Sequence, residues 1–455
     1  MTNPGSGGTA GGARMPRAES DNPVLDALLQ AAFALHPTEI DLTLDRIQRL
    51  LVRLGNPHLN LPPVFHVAGT NGKGSTTAFL RAALEAAGHR VHVYTSPHLV
   101  RFNERIRVAG QIISDDALIL LLRDVLDRNG GQPITFFELT TAAAFLAFAR
   151  APADACIIEV GLGGRMDATN VIPQPLIGGI AQLGLDHQQW LGSSILEIAG
   201  EKAGIARKGV PLVLSRYPRT VNARIGEVAG VAGARLVVRG EDWDAAGYEG
   251  QLHYRDAAGR LALPVPRLAG AHQLDNAALS IAMLRHQDLL PVPESALKAA
   301  MGWADWPARL QRLDDGPLLR LLPAGSVLWV DGGHNPAAGR AIAEAMRGLL
   351  PDGRPLILVL GMLAAKDAGG FIKPFANSAT AAYTVPVAGH AAHDPHALAG
   401  MANEAGLPGT PARDLPSALA MIARNANRER PPLVLITGSL HLAGTALALN
   451  EQPPA

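Results

Sequence analysis

The chain has 455 residues, 48% hydrophobic and 18% charged, with a formal net charge of zero and a single cysteine. That length implies two or three domains, and zero net charge leaves no electrostatic footprint for nucleic acid or an anionic membrane surface. One cysteine excludes an internal disulfide framework and fits a reducing, cytoplasmic setting, and no apolar run approaches the roughly 18–20 residues of a membrane helix.

The first 14 residues are rich in Gly, Ser and Thr and lack an apolar signal segment. Residues 1–20 are therefore expected to form a disordered tail, with Met15 as an alternative start. Helical periodicity begins at Asn22, with Leu25, Leu28, Leu29 and Ala32 on one face. A second stripe, Leu44, Ile47, Leu50, Leu51 and Leu54, stops at Gly55-Asn56-Pro57. Strands and helices then alternate. Val64–Val67 is a strand, and a helix is expected from Thr76 to Ala87. Strands at Val91–Tyr94, Cys156–Val160 and Ile177–Leu183 end in the loops Thr95–His98, Gly161–Gly164 and Gly184–His187. Helices are expected at Asp115–Leu126 and Phe136–Arg150. Residues Val210–Pro266 read as β-rich and hairpin-like, with turn signals at Gly240, Gly247–Gly250 and Ala257–Gly259. A second α/β unit follows Trp303–Arg309, with strands at Val327–Val330, Leu356–Leu360, Tyr383–Val387 and Leu433–Thr437. The pattern is that of an α/β protein with mostly parallel sheets.

The turn between Val67 and Thr76 carries the strongest chemical signal. Gly69, Thr70, Asn71, Gly72, Lys73, Gly74 and Ser75 form a glycine-rich loop between a strand and a helix. Its backbone N–H groups and the positive end of the helix suit a polyphosphate, and Lys73 adds a mobile cation. Val67 stands where the common P-loop pattern has its first glycine. Gly74 stands where a magnesium-binding hydroxyl would be. Another residue must therefore supply the metal contact. Ligands of such sheets bind at the carboxyl ends of strands, which brings Lys73, Ser96, Glu159 and His187 towards one site.

The ordered motifs resemble those of the folylpolyglutamate synthase/dihydrofolate synthase family, within the Mur-ligase superfamily. They include Gly69–Ser75, Thr95–Leu99, Asn103–Arg107, Phe136–Glu138, Glu159–Asn170, Leu185–His187 and Glu201–Ile205. They continue with His272–Asn276, Trp306–Gln311, Asp331–Pro336 and Gly438–Leu440. The resemblance implies a P-loop, Mur-ligase-like ATP-binding domain over residues 21–305 and a smaller Rossmann-like C-terminal domain over residues 306–449. It implies ATP-dependent joining of L-glutamate to dihydropteroate and to reduced folates such as tetrahydrofolate, through an acyl phosphate. It also implies a monomer with no nucleic-acid or membrane partner.

The resemblance assigns roles residue by residue. Lys73, Glu159, His187 and Lys202 are catalytic. Gly69–Ser75, Asn276, Arg309, Asp331 and His334 contact ATP. Ser96, Glu159, His187 and a CO2-derived carbamate on Lys202 hold two Mg²⁺ ions. Thr135, Phe136, Phe137, Glu138, Met166, Asp167 and Ala168 bind the pteridine substrate, and Arg165 organises their loop. The residues themselves leave other readings open. Ser96 before Pro97 suits a turn, and Lys202 beside Glu201 suits a surface ion pair. His187 after Asp186 suits a capped loop, Asp331–His334 a simple turn, and the two phenylalanines core packing. The chain departs from the family pattern at Ala308, where glycine is frequent, and at Ala365 in Gly361–Asp367, where an acidic residue is common.

Four rival functions are distinguishable. A peptidoglycan Mur ligase usually has threonine directly after the lysine, where this chain has Gly74. A dinucleotide-binding oxidoreductase needs a glycine where Met166 stands. A folylpolyglutamate synthase without the first activity, or a regulatory module without catalysis, would differ in turnover.

Overall fold

The computed structural model describes residues 20–36, 41–350 and 353–454. Apart from Ser20, the segment expected to be a tail lies outside the described residues. Asn22 opens the first helix, Pro23–Ala34, by accepting hydrogen bonds from Val24 and Leu25 N–H, and Pro23 occupies the position that needs no donor. Leu25, Leu29 and Ala32 are buried, as are Ile47, Leu50 and Leu51 of the helix Asp45–Arg53.

The first sheet contains β1 (Val64–Ala68), β2 (Val91–Tyr94), β3 (Ile106–Val108), β4 (Gln111–Ile112), β5 (Ala155–Glu159), β6 (Ile177–Ile180), β7 (Pro211–Leu214) and β8 (Arg235–Val238). Its order is β4-β3-β2-β5-β1-β6-β7-β8. Every pair from β2 to β8 is parallel, and β3 and β4 form an antiparallel edge. β1 and β5 are buried along their whole length. That is why they read as continuous apolar runs rather than alternating ones.

Three expectations shift. Gly72 takes a left-handed φ of 82°, so the helix after the loop starts at Lys73 and runs to Ala86. The first helical turn therefore contains Lys73, Gly74 and Ser75, whose N–H groups have no intrahelical partner. β6 ends at Ile180, because the Gln182 carbonyl turns to accept N–H groups of Thr70 and Asn71 at 2.8 and 3.1 Å. The region expected to be β-rich throughout instead carries a helix, Arg219–Ala232, between β7 and β8. Val221, Ile225 and Ala229, four apart, bury one of its faces. The hairpins follow it: β9 (Trp243–Tyr248), β10 (Gln251–Asp256) and β11 (Gly259–Pro264) form a separate antiparallel sheet.

The second α/β unit has β12 (Gln311–Arg312), β13 (Val327–Val330), β14 (Leu356–Leu360), β15 (Ala379–Thr384), β16 (Gly409–Pro411) and β17 (Leu433–Thr437), in the order β12-β13-β17-β14-β15-β16. All its pairs are parallel except β12 with β13. β15 lies earlier than the expected Tyr383–Val387, and Pro386, with no N–H, falls beyond it. The two units touch at Gly444, where any Cβ would lie 1.8 Å from the Leu99 carbonyl oxygen.

The helix Phe136–Arg150 lies under the first sheet and starts in a capping box between Thr135 and Glu138. Glu138 Oε2 accepts the Thr135 N–H and hydroxyl, both at 2.8 Å, and Arg46 Nε at 2.9 Å. One buried carboxylate thus ties this helix to Asp45–Arg53. Glu138→Ala is expected to lower unfolding stability by about 2 kcal/mol, from the lost cap and the charge-assisted bond. Urea unfolding measures this, and a change below about 0.5 kcal/mol would show that the cap carries no such weight.

Candidate active site

The phosphate loop is shaped by what presses on it. A Cβ on Gly72 would lie 2.2 Å from Asn276 Oδ1, and one on Gly74 would lie 2.6 Å from the Trp306 indole. The space that a hydroxyl residue would need after the lysine is filled by Trp306. Lys73 Nζ lies 3.4 Å from the Thr70 carbonyl and 3.9 Å from Glu159 Oε1. Lys73 is thus held near the loop mouth, loosely enough to meet an anion.

Glu159 ends β5 and is buried. Burial raises its carboxyl above the usual range, against the pull of Lys73, the Ser96 N–H and Arg309. Ser96 follows β2 and donates its N–H to Glu159 Oε2 at 3.3 Å, next to a cis bond with Pro97. Lys202, in the helix Ile195–Ala203, is 4% exposed and donates to the Gly69 carbonyl at 2.9 Å. It is no surface ion pair. That role falls to Arg165 and Glu201, 2.6 Å apart. Burial, then Lys73, pulls the Lys202 amine down to about 7, with Asp186 and Asp167 opposing.

Beyond β6, Asp186 Oδ1 accepts the His187 N–H at 2.8 Å and Lys366 Nζ at 2.6 Å. Its Oδ2 accepts Asn335 Nδ2 at 3.2 Å and faces His334 Nε2 at 3.5 Å. Burial would raise this carboxyl, but His334, His187 and Lys366 together hold it far below the usual range. The His187 imidazole is lowered by burial, then by Lys366, His334 and Lys73, against Asp186. A neutral imidazole has a free nitrogen lone pair for a metal.

A cavity of about 110 Å³ beside the loop is lined by Asn71, Gly72, Asn276, Arg309 and Asp331, among others. Both Asp331 oxygens accept backbone N–H groups, one from the segment between the units and one from its own loop. Its Oδ2 accepts Leu310 N–H at 2.8 Å and its Oδ1 accepts Gly333 N–H at 2.6 Å. His334 Nδ1 lies 2.9 Å from the Gly332 carbonyl, and Asn276 Nδ2 donates to Gln273 at 2.9 Å.

The residues assigned to the pteridine divide. Thr135 caps its helix. Asp167 holds its loop through the Leu162 and Thr169 N–H groups at 2.8 and 2.9 Å. Ala168 is buried, whereas Met166 is half-buried. Phe136 stacks on Phe33 with centroids 3.8 Å apart, and Phe137 lies over Gly161, where a Cβ would be 2.3 Å from the ring. Both phenylalanines keep part of their surface open. Among the described residues, Glu138 Oε1 is buried with no hydrogen-bond partner.

No group of three or more His, Cys, Asp or Glu among the described residues forms a complete metal cage. The oxygens of Ser96 and Glu159 nevertheless fit a magnesium that takes one or two protein ligands and completes its shell with phosphate and water.

Sequence reasoning did not single out Lys366, Asn335 or Trp306. Lys366 follows Ala365, the departure that drew attention away from its loop. Asn335 exchanges amide hydrogen bonds with Asn71, at 3.0 and 3.2 Å, and caps the helix Pro336–Gly348. The Asn71–Asn335 and Asp186–Lys366 bonds join residues 264 and 180 apart in sequence, and no local pattern encodes them.

Residues 319–440 match the family described as "Mur ligase, glutamate ligase domain". The dihydrofolate synthase/folylpolyglutamate synthase of Escherichia coli K12 is 38% identical over 341 residues, 74% of this chain and 75% of that one. The chain belongs to the dihydrofolate synthase/folylpolyglutamate synthase family. Among solved structures of this family, E. coli FolC in complex with DHPP and ADP superposes with a TM-score of 0.85 at 33% identity, covering 96% of this chain and 99% of that one. A bifunctional family member with Mn, AMPPNP and L-glutamate bound gives 0.81 at 32% identity, covering 95% and 99%. Family members thus bind adenine nucleotides and a divalent metal.

The Lys202 amine fixes the sign of one pH effect. Folded, it loses its proton near 7; unfolded, near 10.4. Between those values the unfolded chain binds more protons, so this residue makes stability rise with pH, and below 7 its penalty is constant. Lys202→Met is expected to lose that rise. Urea unfolding from pH 6.5 to 9.5 in CO2-free buffer measures it, and identical slopes in both proteins would contradict the assignment.

Proposed function

We propose that this chain uses ATP to join L-glutamate first to dihydropteroate and then to reduced folates, through an acyl phosphate. The observation that carries the proposal is the convergence of Lys73, Glu159, Lys202 and the Asp186–His187 pair on one anion-binding loop, closed by Asn335, His334 and Lys366 from the second unit. Family membership supplies the reaction class.

A carboxylate is a poor electrophile. In the first step a substrate carboxylate oxygen bonds to the γ-phosphorus, the bond to the β-phosphate bridge breaks, and ADP leaves. In the second, the glutamate amine bonds to the acyl carbon, inorganic phosphate leaves, and the amine gives up a proton. Both steps bring anions together, so fixed positive charge governs the barrier. The N–H groups of Gly72–Ser75 and the Lys73 ammonium hold phosphate oxygens. Arg309 adds charge from the segment between the units, and Asp331 sets that segment's position through Leu310. Asn276 and His334 complete the nucleotide contacts. When bound, magnesium supplies neutralising charge for phosphate oxygens. Ser96 and Glu159 would hold one ion, and His187 with a Lys202 carbamate the second. Carbamylation needs a neutral amine to attack CO2 with loss of a proton, and a buried lysine near 7 supports it.

Phe136, Phe137 and Met166 offer open apolar faces for a pteridine, and Glu138 Oε1 is an unused acceptor beside them. Thr135, Asp167 and Ala168 shape that wall. The division at residues 305 and 306 between an ATP-binding domain and a glutamate-ligase domain follows the change of sheet at β12. We read the protein as a cytoplasmic monomer. In support, Cys156 is buried and burial raises its thiol pKa, so it takes no part in redox chemistry. Among the described residues, no helix is long and apolar enough to cross a membrane.

The direct test is phosphate release with ATP, Mg²⁺ and L-glutamate, using dihydropteroate and tetrahydrofolate in parallel. Release that needs glutamate and occurs with either pteridine is expected. Activity on tetrahydrofolate alone would reduce the protein to a folylpolyglutamate synthase, and none on either would leave a regulatory nucleotide-binding module. In the same assay Glu159→Gln is expected to lower kcat at least about 100-fold with an unchanged or higher Tm, since it removes a buried carboxyl without removing volume. Near-normal turnover at saturating Mg²⁺ would sink the metal assignment.

A further inference from the structure

The segment after β2 carries a half-buried cationic group, Arg105, that the mechanism above does not use. Arg105 donates its Nε to His98 Nδ1 at 2.9 Å. With Nδ1 accepting, the His98 proton lies on Nε2, which is then a donor pointing away from Arg105. The Arg105 guanidinium carbon lies 5.3 Å from the Phe102 ring centre and 5.8 Å from that of Phe136. The neighbouring carboxylate is spent elsewhere. Glu104 Oε1 accepts the N–H groups of Val100 and Arg101 at 2.9 and 2.7 Å, and Oε2 that of Leu99 at 2.8 Å. Arg105 makes no ion pair within 4.0 Å among the described residues.

The second unit adds two more donors. His390 and His441 stack with ring centres 3.6 Å apart. The charged or titratable groups facing His98 are Arg105, His441 and His390, and those facing His441 are His390, Arg105 and His334. Among the described residues, no carboxylate is among the groups acting on the His98 or His441 ring. All four side chains belong to half-buried residues, so a ligand can reach them. A guanidinium shielded from water is costly when its nearby carboxylate, Glu104, acts on it only through space and gives its hydrogen bonds to backbone N–H groups, unless a ligand supplies a directly paired charge.

We propose that Arg105, His98, His390 and His441 form a subsite for a substrate carboxylate that does not react, namely the α-carboxylate of the glutamyl residue on a reduced folate. The proposal rests on the folate-ligase reading above. Dihydropteroate has one carboxylate, which must go to the phosphate loop. Tetrahydrofolate has two, and the one left over needs a partner. Arg105 packs on Phe136, a member of the wall assigned to the pteridine, which ties its charge to the pteridine substrate rather than to the incoming amino acid.

The test compares Arg105→Met, Arg105→Lys and His441→Gln with wild type. KM is measured for tetrahydrofolate, dihydropteroate and L-glutamate, and Kd for both pteridines by calorimetry on ADP-loaded protein. Arg105→Met is expected to raise KM and Kd for tetrahydrofolate at least tenfold, and at least threefold more than for dihydropteroate. Arg105→Lys should recover part of the loss. His441→Gln, at a half-buried position, should shift the same ratio in the same direction. Equal rises for both pteridines would reduce Arg105 to a support for Phe102 and Phe136 and overturn the proposal. A rise confined to L-glutamate would assign the cluster to the incoming amino acid and overturn it equally. Wild-type protein that binds both pteridines yet turns over neither would defeat the ligase reading, whereas an unchanged Kd ratio in the variants would defeat the subsite alone.

Discussion

The carboxylate of Asp186 is the constraint on which the site depends. It lies just beyond the end of β6, with its side chain 8% exposed, and takes Lys366, Asn335 and His334 from the second unit while holding the His187 N–H of its own. A shielded carboxylate with four donors is satisfied; with one donor it would be a buried, uncompensated charge. The second unit therefore has a reason to sit against the phosphate loop that does not depend on apolar contact. The Asn71–Asn335 amide pair fixes the register of that contact, because each amide both donates and accepts.

Around this latch the protein tolerates local instability. Among the described residues, Lys202 is a buried amine hydrogen-bonded to one carbonyl, and Glu159 is a buried carboxyl 3.9 Å from Lys73. Neither arrangement favours folding, and both put ionisable groups beside the glycine-rich loop. Ala308 shows the same tension in the backbone. It takes a φ of 57° with its side chain fully buried, at the point where the chain passes from one unit to the other. Its N–H is held by Gln311, and its carbonyl accepts the Gly332 N–H at 2.9 Å. That left-handed turn aims Arg309 at the cavity beside the phosphate loop.

The sequence was most legible where chemistry and local structure share one short segment. The phosphate loop, the strand ends carrying Glu159 and His187, and both α/β units follow from runs of a dozen residues or fewer. Thr135 and Glu138 were visible as a motif, but most of their side-chain bonds go to a helix cap. The helix Arg219–Ala232 went unread because its glycines and small residues weaken a periodicity that only three buried positions maintain. Trp306, Asn335 and Lys366 were illegible for a different reason. Their importance lies in what they meet across the fold: Gly74, Asn71 and Asp186. The absence of a hydroxyl at Gly74, read first as a missing ligand, is also a packing requirement of Trp306.

The claim that the second unit assembles the site through Asp186 is tested most directly by a double-mutant cycle on kcat/KM with Asp186→Asn, Lys366→Met and the pair. If the two residues act through one latch, removing either already breaks it. The double variant should then be little worse than the single ones, with a coupling energy above about 1 kcal/mol. Effects that add to within about 0.5 kcal/mol would contradict the account. Lys366 and Asp186 would then serve the reaction separately, and the contact between the units would need another cause.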